Sequence, residues 1–130
     1  ISQITEENAL PELKRIVSYG YTNGLLSQVT DPMGFHTFYE YDSQSFLKTV
    51  KDHYGQVIRS MTYDHSAADL PDKLIQLIDA NGNVLSYSYD TVNYVTTTTD
   101  RNGRVTKTWY DDWNYPIKKQ DPDGRTTETT

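Results

Sequence analysis

The sequence predicts an all-β protein made of tandem antiparallel β-hairpins, repeated at a period of about 21 residues and joined edge to edge into one continuous, curled sheet. Three observations lead there. The motif D-x-x-G occurs five times, at Asp31–Gly34, Asp52–Gly55, Asp79–Gly82, Asp100–Gly103 and Asp121–Gly124, with three equal glycine-to-glycine steps and one longer step, from Gly55 to Gly82. Four copies are followed by a Tyr-Asp step, Tyr41-Asp42, Tyr63-Asp64, Tyr89-Asp90 and Tyr110-Asp111, the aspartate lying eight residues past the glycine in three copies and nine in one. The segments between are rich in β-branched and aromatic residues. A fixed period of roughly 20 residues marks one supersecondary unit that stacks on its neighbours. A large sheet joined only between sequence neighbours curls as its strands twist.

Residues 1–15 lack the repeat and read as an irregular lead-in. The stretch from Thr5 to Leu13 can make one helical turn, and Pro11 discourages more. Residues 16–130 hold about five repeats. Their incoming strands are expected at Leu25–Thr30, Phe46–Lys51, Leu74–Ile78, Val95–Thr99 and Ile117–Gln120.

Each incoming strand leads into a D-x-x-G turn. The aspartate side chain can bond the backbone two residues on, Asn or Asp at the third site tolerates the bridge region, and glycine supplies positive φ. This is the chemistry of a type I turn followed by a left-handed glycine. Asp79-Ala-Asn-Gly82, Asp100-Arg-Asn-Gly103 and Asp121-Pro-Asp-Gly124 fit throughout; the copies ending in Gly34 and Gly55 relax the third site. Outgoing strands alternate with period two, so Phe35, Thr37, Tyr39 and Tyr41 share one face, as do Leu85, Tyr87 and Tyr89, and Thr106, Thr108 and Tyr110. A second tight turn follows each strand, aligned at Thr22-Asn-Gly24, Ser43-Gln-Ser45, Val92-Asn-Tyr94 and Trp113-Asn-Tyr115. Two irregularities stand out. The extra residue between Gly55 and Tyr63 predicts a bulge, and His65–Asp72 is a longer loop.

Composition narrows the function. The apolar fraction, 35% and about 40% with glycine, lies under the ~45–50% of ordinary globules, and eleven tyrosines supply much of it. Tyrosine suits a face half packed and half wet, so the fold has more surface than core. A net charge of −6 with scattered basic residues argues against nucleic acid. No apolar run is long enough to insert in a membrane, and no signal segment is evident. Without cysteine, neither disulfides nor thiolate-bound zinc contribute. The chain starts without Met and stops in mid-repeat, which reads as a piece of a longer polypeptide.

No catalytic residue, metal site or cofactor is expected. His36, His53 and His65 have no ligand spacing, and His53 and His65 read as solvated turn residues. No serine sits in a GxSxG elbow, and no EF-hand loop appears among the turn carboxylates. Tyr94, Trp109, Trp113 and Tyr115 are placed to stack on sugars; cross-strand aromatic packing accounts for the same residues.

Laid out as Y-D-x-x-x-x-[LVI] followed by D-x-x-G, residues 19–130 resemble the Rhs/YD-repeat family: bacterial Rhs polymorphic toxins, wall-associated YD-repeat proteins, the cocoon of Tc insecticidal toxins, and teneurins. The resemblance implies hairpins wound side by side into a hollow shell around a toxic C-terminal domain or other cargo. It further implies a secreted or cell-surface, bacterial location, with the rest of the parent protein and its cargo as partners. Paired D-P-x-G motifs, whose aspartates serve self-cleavage in many Rhs proteins, are absent here: Asp31-Pro32 is followed one period later by Asp52-His53, and Asp121-Pro122 stands four repeats further on. The expected role is therefore structural, with the repeat aspartates, glycines and Tyr-Asp pairs shaping turns. The other reading is an extracellular module recognising carbohydrate or a cell-surface partner through its aromatic face. The edges near Ile16–Tyr21 and Arg125–Thr130, lacking proline or dense lysine, are expected to pair with chain outside the segment.

Overall fold

The computed structural model describes residues 2–5, 15–66 and 72–129, the first stretch as backbone only. Every regular element among them is a strand: β1 (Ser2–Thr5), β2 (Ile16–Thr22), β3 (Leu25–Thr30), β4 (His36–Tyr41), β5 (Leu47–Lys51), β6 (Val57–Asp64), β7 (Lys73–Asp79), β8 (Val84–Asp90), β9 (Val95–Thr99), β10 (Val105–Tyr110), β11 (Pro116–Gln120) and β12 (Thr126–Glu128). The chain divides into two compact units, Ile1–Ser60 and Met61–Thr130. In the first, β1 through the start of β6 pair antiparallel in sequence order. In the second, β7 through β12 do the same. The all-β, tandem-hairpin expectation thus holds in both units, and β3 and β9 occupy the predicted spans.

The start of the chain differs from the sequence reading. Ser2–Thr5 is a strand, with Ile4 opposite Val17 and Ser2 opposite Tyr19. The outer edge of β2, expected to be open, is therefore covered by residues of this chain. Ser-Gln-Ile-Thr is too short for its alternation to stand out, yet four residues suffice once an edge is available to pair with. The possible helical turn from Thr5 to Leu13 falls almost wholly outside the described residues.

Among the described residues no apolar side chain is buried; Thr49, 8% exposed, is the most enclosed. Strand residues are mostly half-buried, as befits sheet without a covering layer of secondary structure. Stability must then come from the hydrogen-bonded ladders and from cross-strand side-chain pairs, each worth ~0.2–1 kcal/mol.

The ladders carry bulges at related places. Ser27 in β3, Lys48 in β5 and Ile117 in β11 are extra residues in the strand leaving the second turn of a repeat. Each increases the local twist. Another extra residue, Ile58 in β6, lies in the strand whose added length predicted a bulge. The β8–β9 ladder has none and runs unbroken from Ser86–Thr99 to Asp90–Val95.

Candidate functional site

The repeated device is the aspartate turn, and all five D-x-x-G copies have one geometry. The glycine N–H donates to the aspartate carbonyl at 2.9–3.0 Å, and the aspartate N–H donates to the carbonyl four residues on at 2.9–3.1 Å. The Oδ1 atom of the same aspartate accepts two more backbone amides, from the residues two and four ahead. For Asp31 these come from Met33 and Phe35, for Asp52 from Tyr54 and Gln56, and for Asp100 from Asn102 and Arg104. Asp79 and Asp121 repeat the pattern. The glycines Gly34, Gly55, Gly82, Gly103 and Gly124 sit at φ of 76–87°. A Cβ at any of them would meet nothing within 4 Å, so glycine is required by backbone conformation and not by crowding.

The aspartates of the Tyr-Asp steps do the same work at the opposite ends of the hairpins. Asp42 Oδ1 accepts Gln44 and Phe46 N–H, and Asp111 Oδ1 accepts Trp113 and Tyr115 N–H. The left-handed position, glycine in the other turns, falls to Ser45 (φ 71°) and Asn114 (φ 66°). Asp90 departs from the pattern, accepting Val92 N–H, Asn93 N–H and the Asn93 side-chain amide. With no bulge in β9, four residues must close this turn, and the positive φ passes to Tyr94 at 54°. Asp64 accepts Ser66 N–H at 2.9 Å. The first unit's second turn is a two-residue Asn23-Gly24 connection, with φ of 52° and 80°, between paired Thr22 and Leu25.

These bonds favour the ionised carboxylates. The Asn83 side chain holds Asp79 below the ordinary carboxylate range, Asn93 does so for Asp90, and Ser66 for Asp64. For Asp100 the chief cause is the Arg104 backbone amide.

The repeat tyrosines tie strands together. Tyr41 Oη donates to the Leu26 carbonyl at 2.8 Å, and Tyr89 Oη to the Leu74 carbonyl at 2.6 Å, in each case fifteen residues back on the preceding strand. The Lys73 ammonium lies 4.7 Å from the centre of the Tyr89 ring. Burial raises the Tyr89 hydroxyl above its ordinary pKa, helped by the nearby Tyr87 and Tyr110 hydroxyls. The Tyr110 N–H donates to the Tyr94 carbonyl, and Tyr63 lies 6.0 Å from the His65 ring.

Two side-chain arrangements were not legible beforehand. His53, expected to be solvated, accepts the His36 N–H on Nδ1 at 3.1 Å, and the two rings lie 5.1 Å apart. Gln28 and Thr30 both reach His36 Nδ1 at 2.8 Å, and Phe35 stands edge-on to His53. His65 is half-buried rather than solvated, with Nδ1 3.0 Å from the Asp72 carboxylate. His36 opens β4 and His53 sits in the turn that follows β5, so it is the pairing of β4 with β5 that brings them together. Of the aromatics proposed for stacking, Tyr94, Trp113 and Tyr115 are 51, 79 and 67% exposed, whereas Trp109 is half-buried with Lys118 Nζ 4.8 Å from its ring centre.

The geometry defines a protein of tandem β-hairpin repeats in which Asp and Gly make the turns and Tyr fastens successive strands. Residues 72–105 match the family model described as RHS Repeat, a span that opens at β7 and closes on the fourth D-x-x-G turn. The chain belongs to the Rhs/YD-repeat family. No curated protein matches it.

Proposed function

We propose that this chain is a structural segment of a β-shell that encloses and delivers a toxin or other cargo domain carried by the same parent protein, and that it performs no catalysis. The observation that carries this reading is where the repeat side chains are engaged. The turn aspartates bond backbone amides, and Tyr41 and Tyr89 bond backbone carbonyls, so these residues build the sheet. The half-buried, tyrosine-bearing faces, with no buried apolar side chain among the described residues, suit a wall that something else covers. The location that goes with this role is secreted or cell-surface, in a bacterium. Among the described residues no helix is long and apolar enough to cross a membrane.

Limited proteolysis of the parent protein tests the proposal. The cargo domain should resist protease while the repeat region is intact, and become sensitive when several turn glycines are replaced by valine. Equal cleavage of the cargo in both proteins would exclude enclosure.

A second reading, an extracellular carbohydrate or cell-surface binding module, is favoured by the exposure of Trp113, Tyr115 and Tyr94 at adjacent turns of the second unit. Binding of the chain to a glycan array, reduced on removing those rings, is the expected result.

A further inference from the structure

Beside the turn after β8 lies a cavity of about 320 Å³ that no part of the repeat device requires. Its walls include the rings of Tyr89, Tyr94 and Tyr110, and Lys73, Asp90 and Asn114 bring polar groups to it. The volume is at the lower end of ligand pockets, ~300–1,000 Å³, with room for one ring-sized group.

Tyr94 is the informative residue. It holds φ of 54°, in the left-handed region that side chains enter at a cost, where the related turns place Ser45 and Asn114. Turn chemistry does not ask for an aromatic there. The ring is half exposed, and the Tyr94 carbonyl is pinned by the Tyr110 N–H at 2.9 Å.

The polar groups indicate what kind of ring fits. Asp90 is an acceptor, kept ionised by the Asn93 amide at 2.7 Å. Asn114 both donates and accepts, and Lys73 donates. A cationic ligand would meet Lys73, whose ammonium already lies over Tyr89. An anionic one would meet Asp90. A neutral ring with hydroxyls on its rim and C–H groups on its face satisfies both charges and the phenol rings.

We propose that this cavity binds one neutral hexopyranose unit of a glycan, its C–H face against Tyr94 and its hydroxyls shared by Asp90 and Asn114. The inference rests on the carbohydrate-binding reading above and assigns it a site and a class of sugar.

The test is calorimetric and array binding of the full chain to neutral, uronic-acid and sulfated oligosaccharides. Tyr94→Asn is the main variant, because asparagine tolerates positive φ and the fold should survive. Neutral glycans should bind preferentially, and Tyr94→Asn should weaken them at least tenfold with the melting temperature unchanged or raised. Lys73→Gln should leave that preference in place. If Tyr94→Asn binds like wild type while Trp113→Ala loses binding, carbohydrate recognition stands but this cavity is not its site. A preference for acidic glycans would also overturn the assignment. Failure of every glycan to bind would remove both the site and the reading beneath it.

Discussion

At the scale of single residues, one aspartate oxygen organises each turn by collecting two backbone amides, and one glycine supplies the conformation that lets it do so. Because open space surrounds the Cβ position of Gly103, Gly103→Val should cost only the backbone term, ~1–3 kcal/mol, in urea unfolding, while Thr106→Val should be mild. A Gly103→Val variant as stable as wild type would contradict the turn assignment. Tyr41→Phe removes the hydroxyl that bonds the Leu26 carbonyl and keeps the ring; a loss of about 0.5–1.5 kcal/mol is expected in the same measurement. The carboxylates add a pH dependence. Asp64, Asp79, Asp90 and Asp100 have folded pKa values below their unfolded ones, so their contribution is present above about pH 3.9 and disappears as pH falls through the depressed folded values. The urea midpoint should therefore be lower at pH 3 than at pH 6, and an unchanged midpoint would show that these bonds do not favour the folded state.

At the scale of the hairpin, what the sequence makes legible is what local chemistry controls. Asp31-x-x-Gly34 and its four companions announce a turn without any tertiary partner, and period-two alternation locates the strands beside them. The second turn was half legible. Asp42-Ser-Gln-Ser45 and Asp111-Asp-Trp-Asn114 obey the same Asp rule, but serine and asparagine replace the glycine that makes the pattern conspicuous. The bulges at Ser27, Lys48 and Ile117 were not legible, because an extra residue shows only when both strands of a ladder are set side by side. Strand β1 and the His36–His53 contact were missed for a related reason: each exists because a neighbouring strand presents an edge or a side chain to it. The left-handed Ser45 carries a direct prediction. Ser45→Gly should relieve its strain and raise stability by ~1 kcal/mol, read as a higher midpoint in chemical unfolding. A lower midpoint would mean that the serine makes a contact worth more than the strain.

At the scale of the molecule, each unit is a run of ladders in which a strand's partners are its neighbours in sequence, and β12 has one partner among the described residues, β11. The Thr129 N–H bonds the Ile117 carbonyl, so by alternation the Thr126 and Glu128 amides point away from β11. Those outward donors make β12 adhesive, with no proline to blunt it. Sedimentation should show concentration-dependent association of this 130-residue chain, and Glu128→Pro, which deletes one outward donor and leaves the β11 ladder intact, should reduce it. A strictly monomeric chain at every concentration would refute the adhesive edge. The neighbour-only ladders have a consequence for how such a protein comes into being. No ladder in either unit waits for a distant stretch of chain, so loop-closure entropy stays small at every step. Each hairpin can set as it leaves the ribosome and serve as the template for the next, so that the protein grows like a knitted row, one stitch fastened before the following one is cast.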